Sequence, residues 1–228
     1  MKIAFYTAIY CNNYLVDIPR NFKKIKGFDY FLFTNLDEKK FCTSWQIIKT
    51  EKFHENNILS SKYVKWNSHK LLPEYDIVIW MDGWMYPNNL KIEEYTKYIS
   101  DLENYNIILS KHPTRNCVYD EMNAVVKYNK DSILNVNKNK EILLKNNYPI
   151  NNGLFESGFF FKNNKKEEIN NILEKIYDFL VNNSYRDQLA LNYIFWKYNY
   201  KNYKTMDNTI KENLHNNIIL RAKYGKHR

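Results

Sequence analysis

The stretch Asp76-Ile77-Val78-Ile79-Trp80-Met81 constrains this chain more than any other. It is an almost unbroken apolar run, without the in–out alternation of a strand that has one wet face. Such a run belongs in a central strand covered on both sides, the situation of a parallel sheet sandwiched by helices. The run stops at Asp82-Gly83-Trp84. An acid just beyond the carboxyl end of a buried strand stands where open α/β sheets take their ligands, and a glycine after it permits close approach.

Strand-like and helix-like segments alternate around this centre. Residues 2–9, 28–34, 45–50, 106–110 and 154–162 read as strands. Residues 60–72, 91–103, 118–130, 138–146, 165–182 and a segment from Ser184 read as helices, the first capped by Ser60 or Ser61 and stopped by Pro73. The pattern predicts an α/β fold with a mixed, mainly parallel sheet flanked by helices. A length of 228 residues suits one domain rather than two. The Lys- and Asn-rich stretch 129–147 reads as a surface helical excursion, and 205–228 as a polar tail able to wrap over a site.

Charge narrows the partners. The net charge of +9 favours anions, but the lysines are scattered and no zinc finger, RNP pattern or basic helix ahead of heptads is present, which argues against nucleic acid. A codon bias toward Tyr, Asn, Lys, Ile and Phe accounts for the same composition. Cys11, Cys42 and Cys117 match neither a zinc site nor a disulfide framework, consistent with a reducing cytoplasm. No apolar run approaches the ~18 residues of a membrane span, so contact with a lipid-linked substrate is expected to be peripheral.

Five groups of residues could carry chemistry. Asp82 could bind a divalent cation, Mn²⁺ or Mg²⁺, through oxygen, although Trp84 stands where a second acid would complete an Asp-X-Asp pair; a turn acid is the plain alternative. Lys62, Lys65 and His69, with Lys70, share a helical face by spacing and could clamp a diphosphate, or form a solvated basic face. His112-Pro113-Thr114-Arg115, followed by Glu121, lies at another strand end. Gly153 through Glu156-Ser157-Gly158 opens an aromatic strand and is neither a P-loop nor a dinucleotide fingerprint. Ser184-Tyr185-Arg186-Asp187-Gln188 reads as a capping box or as a base, Asp187, facing an acceptor. No Gly-X-Ser-X-Gly elbow or HExxH pattern occurs.

Taken in order, these pieces resemble a glycosyltransferase-like family of plants, bacteria and large viruses, long catalogued as a domain of unknown function. The resemblance runs through Lys65, His69-Lys70-Leu71-Leu72-Pro73-Glu74-Tyr75-Asp76, Ile79-Trp80-Met81-Asp82-Gly83, His112-Pro113, Arg115, Cys117, Tyr119, Glu121, Gly153-Leu154, Glu156, Gly158 and Arg186-Asp187-Gln188-Leu189. It implies a GT-A-like fold and transfer of a sugar from a UDP- or GDP-sugar to a glycan or glycolipid. Residues 1–110 would form the donor half and 111–228 the acceptor half with the tail. It further implies that Tyr6, Thr7 and Asn35 line the base and ribose pocket and that Asp82 is the metal or diphosphate residue. His112, Arg115, Glu156 and Asp187 would surround the sugar, Trp84 would stack on it or shield it, and His227 would complete a metal shell. A non-catalytic nucleotide- or glycan-binding module on the same fold is the alternative, motivated by Trp84.

Overall fold

The computed structural model describes residues 1–12, 21–37, 43–87, 92–206 and 219–221. Seven strands form the main sheet. They are β1 (Ile3–Ile9), β2 (Phe28–Thr34), β3 (Gln46–Lys49), β4 (Ile77–Met81), β6 (Ile107–Lys111), β7 (Phe155–Asn163) and β8 (Tyr203–Thr205), in the order β3-β2-β1-β4-β7-β6-β8. Two short strands, β5 (Met85–Pro87) and β9 (Ile219–Arg221), pair separately and antiparallel. The helices are α1 (Asn57–Trp66), α2 (Ser68–Leu71), α3 (Ile92–Asp101), α4 (Val118–Lys127), α5 (Ile133–Lys145), α6 (Glu167–Asn182) and α7 (Asp187–Lys197).

The sheet is mixed and mainly parallel, as expected. β7 alone runs against its neighbours β4 and β6, and the other pairings are parallel. All seven residues of β1 and all five of β4 are buried, because apolar clusters cover both faces. One gathers Tyr6, Trp66, Trp80, Phe160 and the inner sides of α6 and α7. The other gathers Phe5, Ile79, Tyr95 and Phe161. This double burial is what the unbroken apolar run demanded.

Two features of this sheet create the site. Chain order reverses between β1 and β4, which opens a crevice beyond their carboxyl ends. The reversed β7 then brings its beginning, rather than its end, to the same crevice: Met81 pairs with Phe159, and the Asp82 N–H donates to the Gly158 carbonyl at 2.9 Å. On its other side the pairing of β7 jumps from Leu109–Phe160 to Ser110–Glu156. The unpaired step frees residues 157–159 from β6, as an irregularity beside a site commonly does.

Several boundaries differ from the sequence reading. The helix expected over 60–72 starts earlier, with Asn56 accepting from the N–H groups of Ile58 and Leu59. It breaks at Asn67, whose φ of −112° and ψ of 32° are not helical. The helix expected over 138–146 begins at Ile133 behind an N-cap from Ser132. The capping box at Ser184 does not form. α7 starts at Asp187, and the Ser184 hydroxyl donates to Asp131. β5, β8 and β9 were unforeseen, being three residues each. Of the tail, residues 219–221 form β9, which pairs with β5, the strand that follows Asp82-Gly83-Trp84. No described helix is long and apolar enough to cross a membrane.

Candidate functional site

A cleft of about 680 Å³ opens at the carboxyl end of β4. Five cationic side chains line it (Lys62, Lys65, Arg115, Lys130, Arg186), with four acids (Asp82, Glu121, Glu156, Asp187). Trp84, His112, Ser157, Gly158 and Gln188 complete the expected residues that reach it.

At its floor the two lysines of α1 meet Asp187. The i, i+3 spacing of Lys62 and Lys65 turns both ammoniums toward the first residue of α7. Lys62 lies 2.6 Å and Lys65 2.5 Å from the Asp187 carboxylate. The Ser157 hydroxyl accepts from Lys65 at 3.2 Å and donates to Asp187 at 3.0 Å. Lys65 is only 1% and Asp187 3% exposed. Burial by itself would raise the Asp187 carboxyl. The two ammoniums outweigh it and hold the group far below the usual carboxylate range. Burial draws the Lys62 ammonium down to about 8, with Asp187 pulling the other way.

Lys65 also reaches Asp82, 3.5 Å from Oδ1. That same oxygen accepts from the Trp80 indole at 2.9 Å. Gly83 has a packing reason for its identity: a Cβ there would stand 2.8 Å from Ile9 Cγ1 at the end of β1. The expected close approach is therefore made by Ile9.

On the opposite wall Arg115 donates to Glu121 at 2.5 Å, and Glu121 is buried. His112 is packed into this pair. Its Nδ1 accepts from the N–H groups of Thr114 and Arg115, while the Arg115 guanidinium meets Nε2 at 3.0 Å. Burial, then the charges of Arg115 and Lys130, push its imidazolium down to about 4. His112 is thus a neutral ring whose Nδ1 caps the loop, and it lines the cleft.

The remaining cations come from two tied loops. Asn129, in the left-handed region at φ 49°, turns the chain out of α4 and places Lys130 at the cleft. The Tyr185 hydroxyl donates to the Lys130 carbonyl at 2.9 Å, fixing Arg186 nearby. Arg186 Nε is buried without a hydrogen-bond partner among the described residues, and its guanidinium reaches Gln188 at 3.5 Å. Lys130 was missed because its stretch reads as polar surface; a helix-ending Asn-Lys pair was the available signal.

Tyr6, Thr7, Asn35 and His69 lie outside this cleft. Tyr6 is fully buried, donating to the Lys65 carbonyl at 2.7 Å, and Thr7 is fully buried beside it. Neither lines a pocket, because β1 is covered on both faces. Asn35 is spent on Cys11, bonding both its N–H and its carbonyl. His69 lies past the break at Asn67 and bonds Glu174 of α6 at 2.7 Å, away from the cleft. Among the described residues the donor set does not match a resident divalent cation. Among the described residues no three His, Cys, Asp or Glu side chains gather to hold a metal. Asp82 is engaged by Trp80 and Lys65, Asp187 by two lysines, and Trp84 offers no oxygen. His227 lies outside the described residues.

A family model, TOD1/MUCI70, glycosyltransferase-like domain, matches residues 32–223. The chain belongs to this family. Its solved structural neighbours are distant in sequence. The apo structure of mouse xyloside xylosyltransferase 1 aligns with 10% identity and a TM-score of 0.51, over 90% of this chain and 84% of that one. The glycosyltransferase GlyE of Streptococcus pneumoniae shows 14% identity and a TM-score of 0.47, over 90% of this chain and 44% of that one. The bifunctional glycosyltransferase WbbM shows 15% identity and a TM-score of 0.49, over 90% and 38%. No curated protein matches. The family and the first of these alignments make this a glycosyltransferase-like domain with a GT-A-like fold.

Proposed function

We propose that the chain transfers a sugar from a UDP- or GDP-sugar to a glycan or glycolipid acceptor. The observation that carries this reading is the cleft at the β4 strand end, where Asp82 stands among cations suited to a diphosphate. Residues 1–110 supply the donor half, and residues 111–228 the acceptor half and the tail. Asp82, open on one side, accepts hydroxyls of the donor sugar, and Trp84 and Gln188 border the same space. Transfer breaks the bond from the anomeric carbon to the diphosphate oxygen, which keeps the electron pair. The acceptor oxygen bonds to that carbon and its proton goes to a carboxylate. Glu156 and Asp187 both line the cleft and supply the carboxylates for that base role.

A cytoplasmic location with peripheral membrane contact suits this reading. The net charge of +9 favours anionic headgroups, and Cys11 and Cys117 are free thiols.

A thermal-shift panel of UDP, GDP and their sugars tests the function, since a ligand that binds only the native state raises its melting temperature. A rise with one base, followed by hydrolysis or transfer of its sugar, is expected. Flat melting across the panel would overturn the reading. A donor that stabilises the protein yet is neither hydrolysed nor transferred would favour the second reading, a binding module, which the ion-paired state of Asp187 supports.

A further inference from the structure

We infer that the ammonium of Lys65 occupies the seat a divalent cation would take, so that this protein binds its donor diphosphate without metal. The inference rests on the glycosyltransferase reading of the same cleft.

A cation in a strand-end site of this kind would have two tasks. It would bridge strand-end carboxylates, and it would neutralise the charge that grows on the departing diphosphate. The first task is already performed. Lys65 Nζ lies 2.5 Å from Asp187 and 3.5 Å from Asp82, with Ser157 Oγ at 3.2 Å. Its position is enforced from outside as well, with the rings of Trp66 and Trp80 centred 5.0 and 5.4 Å away. An ion entering between Asp82 and Asp187 would have to expel a buried ammonium from its partners. Trp84 supplies no replacement ligand.

The second task has its own residues. Of the five cations in the cleft, Lys62 and Lys65 pair with Asp187, Lys65 also with Asp82, and Arg115 with Glu121. Arg186 and Lys130 make no ion pair among the described residues; burial depresses the Lys130 ammonium and nearby Arg186 adds to that, against the pull of Glu121 and Glu156. Like charges held together in a partly buried cleft destabilise it unless an anion joins them. A diphosphate carries that charge, and its oxygens match the planar donors of arginine. In this scheme Asp187 is a positioning residue that fixes both lysines.

Titration calorimetry on the full chain with UDP and GDP, in EDTA and in Mn²⁺, tests the inference. The nucleotide that binds is expected to do so with Kd values agreeing within about twofold in the two buffers. Binding seen only with Mn²⁺ overturns the inference and leaves the glycosyltransferase reading standing. No binding in either buffer overturns both. Arg186→Gln and Lys130→Gln are each expected to weaken the diphosphate about tenfold in EDTA while leaving the nucleoside unaffected, the loss of one charge-assisted contact. Unchanged affinity in both variants overturns the assignment of the unpaired cations. Lys65→Met uncovers Asp82 and Asp187, so Mn²⁺ alone should then raise the melting temperature, and no rise in a folded variant argues against Lys65 as the stand-in. Should that variant not fold, the comparison of buffers in the unaltered protein still decides.

Discussion

The Lys65 ammonium and the Asp187 carboxylate form a buried ion pair at 2.5 Å, 122 positions apart in the chain. The pair joins α1 to the first residue of α7 across the start of β7, and its cost and its strength fix how the site responds to change.

Asp187→Ala leaves two ammoniums facing each other with only the Asp82 carboxylate, 3.5 Å from Lys65, as counter-charge. Breaking a buried pair from one side costs about 3–5 kcal/mol, measurable by urea unfolding. Asp187→Asn keeps the shape but not the charge and should lose most of the same amount. Because the carboxyl is depressed in the folded state, its contribution is present above the ordinary carboxylate pKa and is lost as pH falls below about 4. Both variants should therefore flatten the acid limb of the stability curve.

Asp82→Asn keeps an acceptor for the Trp80 indole and should leave melting nearly unchanged. Donor hydrolysis or transfer should fall on the order of a hundredfold, the usual loss when one charged contact to the reacting region is removed. Full turnover in this variant would take Asp82 out of the site.

For His112, the geometry separates a cap from a base. His112→Ala strands the N–H groups of Thr114 and Arg115 and should cost about 1–3 kcal/mol. His112→Asn can accept in their place and should restore much of that. Since the imidazole titrates near 4, the rate profile should carry no limb between pH 6 and 7 from this residue. A limb there that disappears in His112→Asn would show that the ring moves protons after all.

Lys162 predicts the sign of a stability trend far from the cleft. It is fully buried in β7 and donates to Asn170 at 2.8 Å, and burial draws its ammonium down to about 7 against the opposing pull of Glu174. Below that pH the folded chain holds a buried charge that the unfolded chain solvates freely. Above it the folded state sheds the proton while the unfolded state keeps it. Stability should thus rise with pH between about 7 and 10, by no more than about 1.4 kcal/mol per unit. Lys162→Met should remove the part of that rise that begins near pH 7 in chemical unfolding, leaving the part that Lys62 contributes from about 8 upward.

Gly83→Ala pushes a methyl into Ile9 and should cost about 1–3 kcal/mol, the usual range for overpacking. Ile9→Ala in the same chain should recover part of the loss, so the two changes should not add.

What the sequence revealed follows from the length scale of each signal. Burial on two faces is a local pattern, so the β4 strand and Asp82 were legible. The spacing of Lys62 and Lys65 is local too. His69 was misplaced because the same periodicity was extended through Asn67, where the backbone leaves the helix. Tyr6 and Thr7 were misassigned because a strand covered on both sides offers no pattern to tell a pocket from a core. That Asp187 is neutralised by two lysines depends on α1 and α7 meeting across more than a hundred residues, and no spacing rule records this. Lys130 was hidden by its polar surroundings, although the left-handed Asn129 is what carries it inward.

The reversed direction of β7 reaches beyond topology. Residues 156–158 belong to a strand flanked by β4 and β6, and the Gly158 carbonyl is tied to the strand end that carries Asp82. The wall is anchored on both sides of the unpaired step, by Glu156 opposite Ser110 and by Gly158 bonded to Asp82, with Ser157 between them. Little ordering entropy then remains to be spent when a substrate arrives, so this side of the cleft is preorganised and any adaptation to different acceptors must come from the loops opposite.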